Sequence, residues 1–573
     1  MPASQAGRHG FESRRPLCMR SGPSGKWCGC SPGGAAAARL WLAALLRPGR
    51  IVFVLAVLTA NSAHSASAQQ SPPAPTRPPN AYEELQAFSS VLTQIRVNYV
   101  DSVTYRELVH AAIDGMLHAL DPHSNFMSRT EWDRQEALMR GELPGIGVQV
   151  EEEDSAATVL AVDPRAPAAK AGVQPGDRIA AINDSSVAGL KPADIALRLS
   201  GPKGSTVRIR IERGPRLEPE TLSVTLRREL LGTPRVTMAR MAAPATGYLD
   251  LQWFAPKAGD DVRDAVRLLQ AQGARRLVLD LRNNPGGLMD AAVDIASEFL
   301  PQGALVFRTE GRKKDAIHQF VTKHDGAFRD MPVIVLINGQ SASAAEALAG
   351  SLQDHDRALI LGRRSFGKAL VQTGFLIMPS SDIVELTIAR VFTPSGRLIQ
   401  RRYRGIRYEE YWAFAGKAGA AEDTLVQFKT DHGRTVRGGG GIVPDVVLPV
   451  ASGFPVWWSV AVDSGFADAV ADSVAHTLPA TAAARAQWLT GRQQWRDRLL
   501  VPWLARVRNR LHVTAQLDSA LGERLALSLA ARAATVRWPP DGGDELGVRN
   551  DPDIRAALEY FPRLAELLGT PAH

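Results

Sequence analysis

The sequence predicts a multi-domain α/β protein. Three observations do so: strand–helix alternation over about residues 246–448, short alternating strands over 143–228, and helical periodicity at both ends. At 573 residues the chain exceeds what one hydrophobic core organises. Its 45% apolar and 22% charged residues are ordinary for a packed globular protein.

The alternation is read from particular runs. Arg276–Leu281 is an apolar strand preceded by a helix near Val262–Gln270. Val333–Ile337 is a second strand, followed by a helix from about Ser343 to Gln353, and Leu359–Leu361 is a third. Uninterrupted apolar strands of this kind imply a buried, largely parallel layer. In the β-rich segment, strands are expected at Thr158–Val162, Arg178–Ile182, Thr206–Ile211 and Thr221–Leu226, with a single short helix near Pro192–Leu199. Leu85, Phe88, Leu92 and Ile95 mark one N-terminal helix, and Leu108, Ala112, Ile113, Met116 and Leu120 a second. Asp121-Pro122 stops that second helix, because proline disfavours helix in the residue before it. After 450 the chain reads as helical, with Trp457, Trp458, Trp488, Trp495 and Trp503 as core anchors and no visible chemistry.

These runs divide the chain into a leader (1–68), a linker rich in Pro, Gln and Ser (69–80), an N-terminal helical region (81–142), a β-rich domain (143–228), an α/β core (229–449) and a helical C-terminal region (450–573). The leader has basic residues, then the apolar run Ile51–Ala60, then Ala66-Ser67-Ala68, which is the pattern of an export signal. The apolar run is shorter than the ~20 residues of a membrane-spanning helix, so a membrane contact is expected only if this leader stays on as an anchor. The start at Met1 leaves a long stretch before the apolar run, and Met19 is an alternative start.

Charge and cysteine usage narrow the function classes. The net charge is +8, yet residues 1–68 hold eight basic groups against the single acid Glu12, a surplus of seven. The remainder is nearly neutral, so no nucleic-acid partner is expected. Cys18, Cys28 and Cys30 all lie in the leader, so the body of the protein has no disulfides. No His pair or His/Cys cluster has metal-ligand spacing, and no GxxxxGK[ST] loop is present, so neither metal nor nucleotide cofactor is expected. His123 reads as a structural turn residue and His355 as a polar helix end.

Three segments carry candidate chemistry. In Asn338-Gly339-Gln340-Ser341-Ala342-Ser343-Ala344-Ala345-Glu346 an apolar strand runs into small residues and a helix. A serine there is lifted clear of the backbone beside outward-pointing amides, which suits a nucleophile with an oxyanion hole. The same Ser343 and Glu346 also spell a capping box, and Ser341 competes for the nucleophile's place. In Arg363-Arg364-Ser365-Phe366-Gly367-Lys368-Ala369-Leu370-Val371-Gln372, the neighbours Phe366, Ala369, Leu370 and Val371 supply apolar surroundings that favour a neutral Lys368 as base. Gln372 would lie one turn on if the segment is helical, close enough to orient the amine; the competing reading is a surface lysine. In Asp280-Leu281-Arg282-Asn283-Asn284-Pro285-Gly286-Gly287, glycines allow close backbone approach, and the Gly287 amide is a candidate second oxyanion donor.

Taken together, these segments resemble the C-terminal processing peptidases, tail-specific proteases of the Ser–Lys class. Lys368 follows Ser343 by twenty-five residues and Gln372 follows Lys368 by four, as in that family. The resemblance assigns Ser343 over Ser341 as nucleophile, and carries the oxyanion roles to the amides of Ala344 and Gly287. It extends through Ile113-Asp114-Gly115-Met116, Asp121-Pro122-His123-Ser124, Thr393-Pro394-Ser395-Gly396-Arg397 and Gly438–Asp445, covering roughly 81–448. Gly145-Ile146-Gly147-Val148 is similar to the carboxylate-binding loop of a PDZ domain, and Ala171–Asp177 to its helix-to-strand turn. A substrate tail would then add as a strand beside Gly147–Val150.

The resemblance implies a ClpP/crotonase-like α/β catalytic core with an inserted PDZ-type domain and helical N- and C-terminal regions. It implies an exported serine endopeptidase acting on proteins or peptides with free C-termini, without a cofactor. An adaptor or oligomer partner would bind through the PDZ domain or the C-terminal helices. Two other readings use the same residues: a non-catalytic PDZ scaffold on a degenerate hydrolase core, and a hydratase-like enzyme binding thioesters through paired amides.

Overall fold

The computed structural model describes residues 80–569, apart from 154–155, 164, 191, 214–218, 233–234, 414–425, 451–453, 464, 512–516 and 540. The leader and its cleavage pattern lie outside the described residues. The chain divides into two units, 1–105 and 106–573. In the first, helix Ala81–Asn98 starts at a capping box in which Asn80 and Glu83 exchange side-chain and backbone hydrogen bonds. Its residues Leu85, Phe88 and Val91 are exposed.

The second unit is built on a six-stranded sheet ordered 236–243, 246–251, 276–280, 333–337, 359–362, 446–447. The first pair is antiparallel and the rest parallel. Its central strands are apolar throughout because both faces are covered. Leu277, Leu279, Val333, Val335, Ile337 and Ile360 pack with the helices Ala258–Ala271, Met289–Ala296 and Ala344–Asp354. Val278, Ile334, Leu336, Leu359 and Leu361 point the other way and pack with Ile554, Ala557, Phe561, Leu564 and Leu568. Residues from 554 to 568 therefore complete the core of the α/β layer.

A second sheet is antiparallel: 125–127, 382–392, 305–311 and 318–321 in order, with 370–377 also paired to 382–392. The expectation of largely parallel strands holds for the first sheet only. The strands of the second are half-exposed and mixed in polarity, so no apolar run announces them. The segment after Lys368 is accordingly strand Leu370–Ile377, and the helical turn considered between Lys368 and Gln372 does not form.

The β-rich domain is an antiparallel sheet ordered 148–153, 156–162, 178–182, 206–213, 220–227, with 185–186 beside 178–182. Val207, Ile209 and Ile211 are buried while Thr206, Arg208 and Arg210 are exposed, the period-two pattern of a half-buried strand. Helix Pro192–Leu199 is where the sequence puts it, and a second short helix, Pro167–Lys170, corrects the single-helix expectation. Strands 142–145 and 229–232 pair where the chain enters and leaves this domain.

In the C-terminal region, Trp458, Trp488, Trp495 and Trp503 are buried and Trp457 partly so. Trp495 Nε1 donates to the carbonyl of Trp488 at 2.8 Å. Among the described residues no helix is long and apolar enough to cross a membrane. Phe561 is buried against the sheet under the Arg276 guanidinium, 4.8 Å from its ring centre. Phe561→Ala is expected to cost about 3–5 kcal/mol in a denaturant titration, the cost of a large-to-small change in a core.

Candidate active site

Ser343 lies where strand Val333–Ile337 turns into helix Ala344–Asp354. Its backbone angles are φ 57° and ψ −117°, a region that costs roughly 1–3 kcal/mol for a residue with a side chain. The turn holds because its neighbours are tied down. Ser341 is fully buried; its Oγ donates to the carbonyl of Leu281 at 2.7 Å and accepts from the amide of Asn338 at 2.9 Å. Ser341 is thereby committed to structure, whereas Ser343 stays half-buried and accessible.

The 280–287 loop meets this turn. Fully buried Asn284 donates to Leu251 O and accepts from the Gly286 amide, and its carbonyl accepts from Ala342 N. Gly286 has φ 99°, and a Cβ there would lie 2.9 Å from both Ser343 Cβ and Ala344 N. Gly287 has φ 138°, and its Cβ would strike Phe254 O at 2.1 Å. The bonds flanking Gly287, Phe254 N to Gly286 O and Leu288 N to Phe254 O, both run to Phe254, so the Gly287 N–H points the other way. Among the described residues neither Gly287 N–H nor Ala344 N–H donates to an acceptor of the chain. Two free amides on adjoining segments are what an oxyanion requires.

Lys368 reaches the same place through Glu346. This carboxylate is fully buried and accepts four hydrogen bonds: Ser343 N at 2.9 Å, Ser365 Oγ, Gly367 N at 2.7 Å and Lys368 N at 2.8 Å. Burial pushes the Glu346 carboxyl up to about 7, against the four donors, which favour its anion. The capping box read from the sequence is therefore present in part, and it also fixes the lysine loop.

Lys368 itself is half-buried, and desolvation holds its amine below the ordinary lysine value. The carboxylates of Glu385, Glu346 and Asp121 oppose that shift. Asp121 accepts from His123 N, Ser124 N, Ser124 Oγ and Thr387 Oγ1 at 2.8–3.0 Å. Gln372 Nε2 donates to Thr387 Oγ1 at 3.2 Å, which links it to the same cluster from a strand. Among the described residues Lys368 Nζ makes no hydrogen bond, to Ser343 or to Gln372; such contacts commonly tighten only with substrate bound.

His123 is buried, its Nε2 lies 2.9 Å from Tyr411 Oη, and burial lowers its pKa to about 2, so it stays a neutral structural group. His355 ends helix Ala344–Asp354 and contacts Asp431 and Leu305 O. Among the described residues no group of three His, Cys, Asp or Glu side chains is arranged to hold a metal ion.

In the β-rich domain, Val148–Glu153 is an edge strand, preceded by Gly145, buried Ile146 and Gly147. Ile146 O accepts from Ala168 N and Gly147 O from Asp163 N, both at 2.9 Å. Among the described residues the amides of Ile146 and Gly147 donate to no acceptor of the chain. The residues that sequence reasoning missed are Glu346 as a hub, Ser365, and the Asp121 cluster. Their signals were the Ser-x-x-Glu spacing, read as a helix cap, and the Asp-Pro-His-Ser motif, read as a helix stop and as part of the family resemblance, neither as a link between segments.

Glu346→Gln would set an amide N–H₂ against backbone donors. We expect a loss of about 2–3 kcal/mol in stability from unsatisfied buried groups, measured by denaturant titration, together with a loss of turnover of about tenfold or more.

The chain is similar to known proteins. Residues 245–409 match the model of peptidase family S41, 144–226 the PDZ domain model, and 50–131 the model of the activating protease CtpB N-terminal domain. The chain is 36% identical over 325 residues to the carboxy-terminal-processing protease of Bartonella bacilliformis, an alignment covering 56% of this chain and 74% of that protein. It is 34% identical over 295 residues to the carboxyl-terminal-processing protease of Synechocystis sp., covering 50% and 68%. Among solved structures, the photosystem II D1 C-terminal processing protease is 26% identical, with a TM-score of 0.35, and the match covers 64% of this chain and 88% of that one. Relatives of this identity, covered to two thirds or more of their length, show that the chain belongs to the carboxy-terminal processing proteases of peptidase family S41.

Proposed function

We propose that this serine endopeptidase cuts peptide bonds with Ser343 as nucleophile and Lys368 as general base. The observation that carries the reading is the single carboxylate of Glu346, bonded to the amides of both residues. Neutral Lys368 Nζ takes the proton from Ser343 Oγ as that oxygen attacks the scissile carbonyl carbon. The negative charge passes to the carbonyl oxygen, facing the N–H groups of Ala344 and Gly287. Collapse breaks the C–N bond, and the departing amine takes the proton held on Lys368. Water then attacks the acyl-enzyme carbonyl, giving a proton to Lys368; collapse breaks the ester C–O bond, Ser343 Oγ takes that proton back from Lys368, and the acid leaves. Gln372, through Thr387 and Asp121, steadies the polar cluster around the lysine.

The substrate is a protein with an accessible C-terminus. The edge strand Val148–Glu153 has an unpaired side for an added peptide strand, and the free amides of Ile146 and Gly147 suit its terminal carboxylate, with Gly145 and Val148 flanking them. The leader over 1–68 supports export, to the periplasm or another compartment outside the cytoplasm, and a signal peptide over a retained anchor. The strain kept at Ser343 argues against a binding scaffold, which has no use for it.

Digestion of an unstructured protein with an apolar tail, followed by mass spectrometry, tests the assignment. Ser343→Ala is expected to abolish cleavage, and Lys368→Ala to lower kcat at least about a hundredfold, the usual worth of a general base. A Ser343→Ala protein that cuts at the wild-type rate contradicts the reading. The pH profile gives a second check. Lys368 must be neutral to act, so kcat/KM is expected to rise with pH, with a midpoint below the ordinary lysine value of 10.5. A midpoint at or above that value contradicts a desolvated base.

A further inference from the structure

The three matched family models end at residue 409, and the C-terminal region reads as purely structural. Its helix Pro552–Tyr560 nevertheless sends two carboxylates to the active-site loops. Asp551 caps that helix, accepting from Asp553 N at 2.8 Å and Ile554 N at 3.0 Å. The same carboxylate takes a two-pronged contact from Arg282, Nη1 to Oδ1 at 3.1 Å and Nη2 to Oδ2 at 2.9 Å. Asp553 is buried, and its Oδ2 accepts from Arg282 Nη1 at 2.9 Å and also pairs with Arg363 Nη1. Arg282 is held from behind by Asp280, and Arg363 Nη2 also donates to the carbonyl of Pro449.

The two arginines occupy equivalent places. Arg282 lies five residues before Gly287 in the loop that carries the free amide, and Arg363 lies five residues before Lys368 in the loop that carries the base. A single oxygen of Asp553 bonds to both. Glu346 ties the Lys368 amide to that of Ser343, and Asp553 ties the lysine loop to the oxyanion loop. The pairs are largely withdrawn from water, where removing one partner strands a charge, so the link is stiff.

We propose that Asp553, aided by Asp551, is a positioning residue for peptide hydrolysis: the C-terminal helix sets the spacing between the oxyanion loop and the lysine loop. The proposal rests on the assignment of Ser343, Lys368 and Gly287 above. Misplacement by about an ångström costs an enzyme up to about a hundredfold in rate, and it falls on turnover because the oxyanion forms only in the transition state.

The test uses the full chain with the tailed, unstructured substrate and the variants Asp553→Asn, Arg363→Gln and their combination. Each single variant is expected to lower kcat about tenfold with KM unchanged within about twofold, and the double variant to lose no more than either single, because both cut one link. Asp553→Glu is expected to recover part of the loss. Thermal melting of each variant separates these effects from a loss of folded protein. The proposal is overturned if the single variants turn over within about twofold of wild type, if their losses multiply in the double variant, or if KM rises in their place. Should Asp553→Asn fail to fold, the kcat of Arg363→Gln decides alone by the same criterion. Ser343→Ala is assayed alongside. If it retains activity, the site assignment fails; if it is inert while Asp553→Asn works normally, only the clamp fails.

Discussion

One buried carboxylate governs the arrangement of this site. Glu346 sits fully out of water, where an isolated charge is costly, and four donors from two separate segments make its anion tolerable. That dependence runs both ways. The carboxylate needs the donors, and among the described residues the amides of Ser343, Gly367 and Lys368 donate to no other acceptor. The strained angles of Ser343 persist because the surroundings over-determine them: Ser341 is pinned to Leu281, Asn284 to Leu251, and Gly286 presses on the turn. The relative placement of Ser343 and Lys368 is thus set by two loops bound to one buried group.

The fold supplies the rest of the constraint. A parallel sheet must be buried on both faces, and here the helical segments over 552–568 cover the second face. Once Ile554, Ala557 and Phe561 dock there, the start of the same helix is fixed near the strand ends of the sheet, and Asp551 and Asp553 fall beside Arg282 and Arg363. Packing and electrostatics at the C-terminus therefore share one geometric origin.

How much of this was legible in the sequence follows from the signals involved. The strands Arg276–Asp280 and Val333–Ile337 and the helix after Ser343 carry uniform apolar or small-residue patterns, and they were readable nearly to the residue. Motif spacing is what put Ser343 and Lys368 forward as the proposed pair. The antiparallel sheet was not, because Leu370–Ile377 and Asp382–Phe392 are half-exposed and show no clean period. Glu346 looked like a cap because its cap bond is local, whereas its bonds to Ser365, Gly367 and Lys368 span about twenty residues. Asp553 gave no signal at all, since its partners lie some two hundred and more residues away.

The central claim is that one carboxylate joins the serine turn to the lysine loop as a single mechanical unit. Amide hydrogen exchange at Ser343, Gly367 and Lys368 examines that joint directly. These three N–H groups should exchange slowly in the wild-type protein and lose protection together when the acceptor becomes glutamine. Fast exchange at Gly367 and Lys368 in the wild type, or protection there that survives the substitution, would contradict the account.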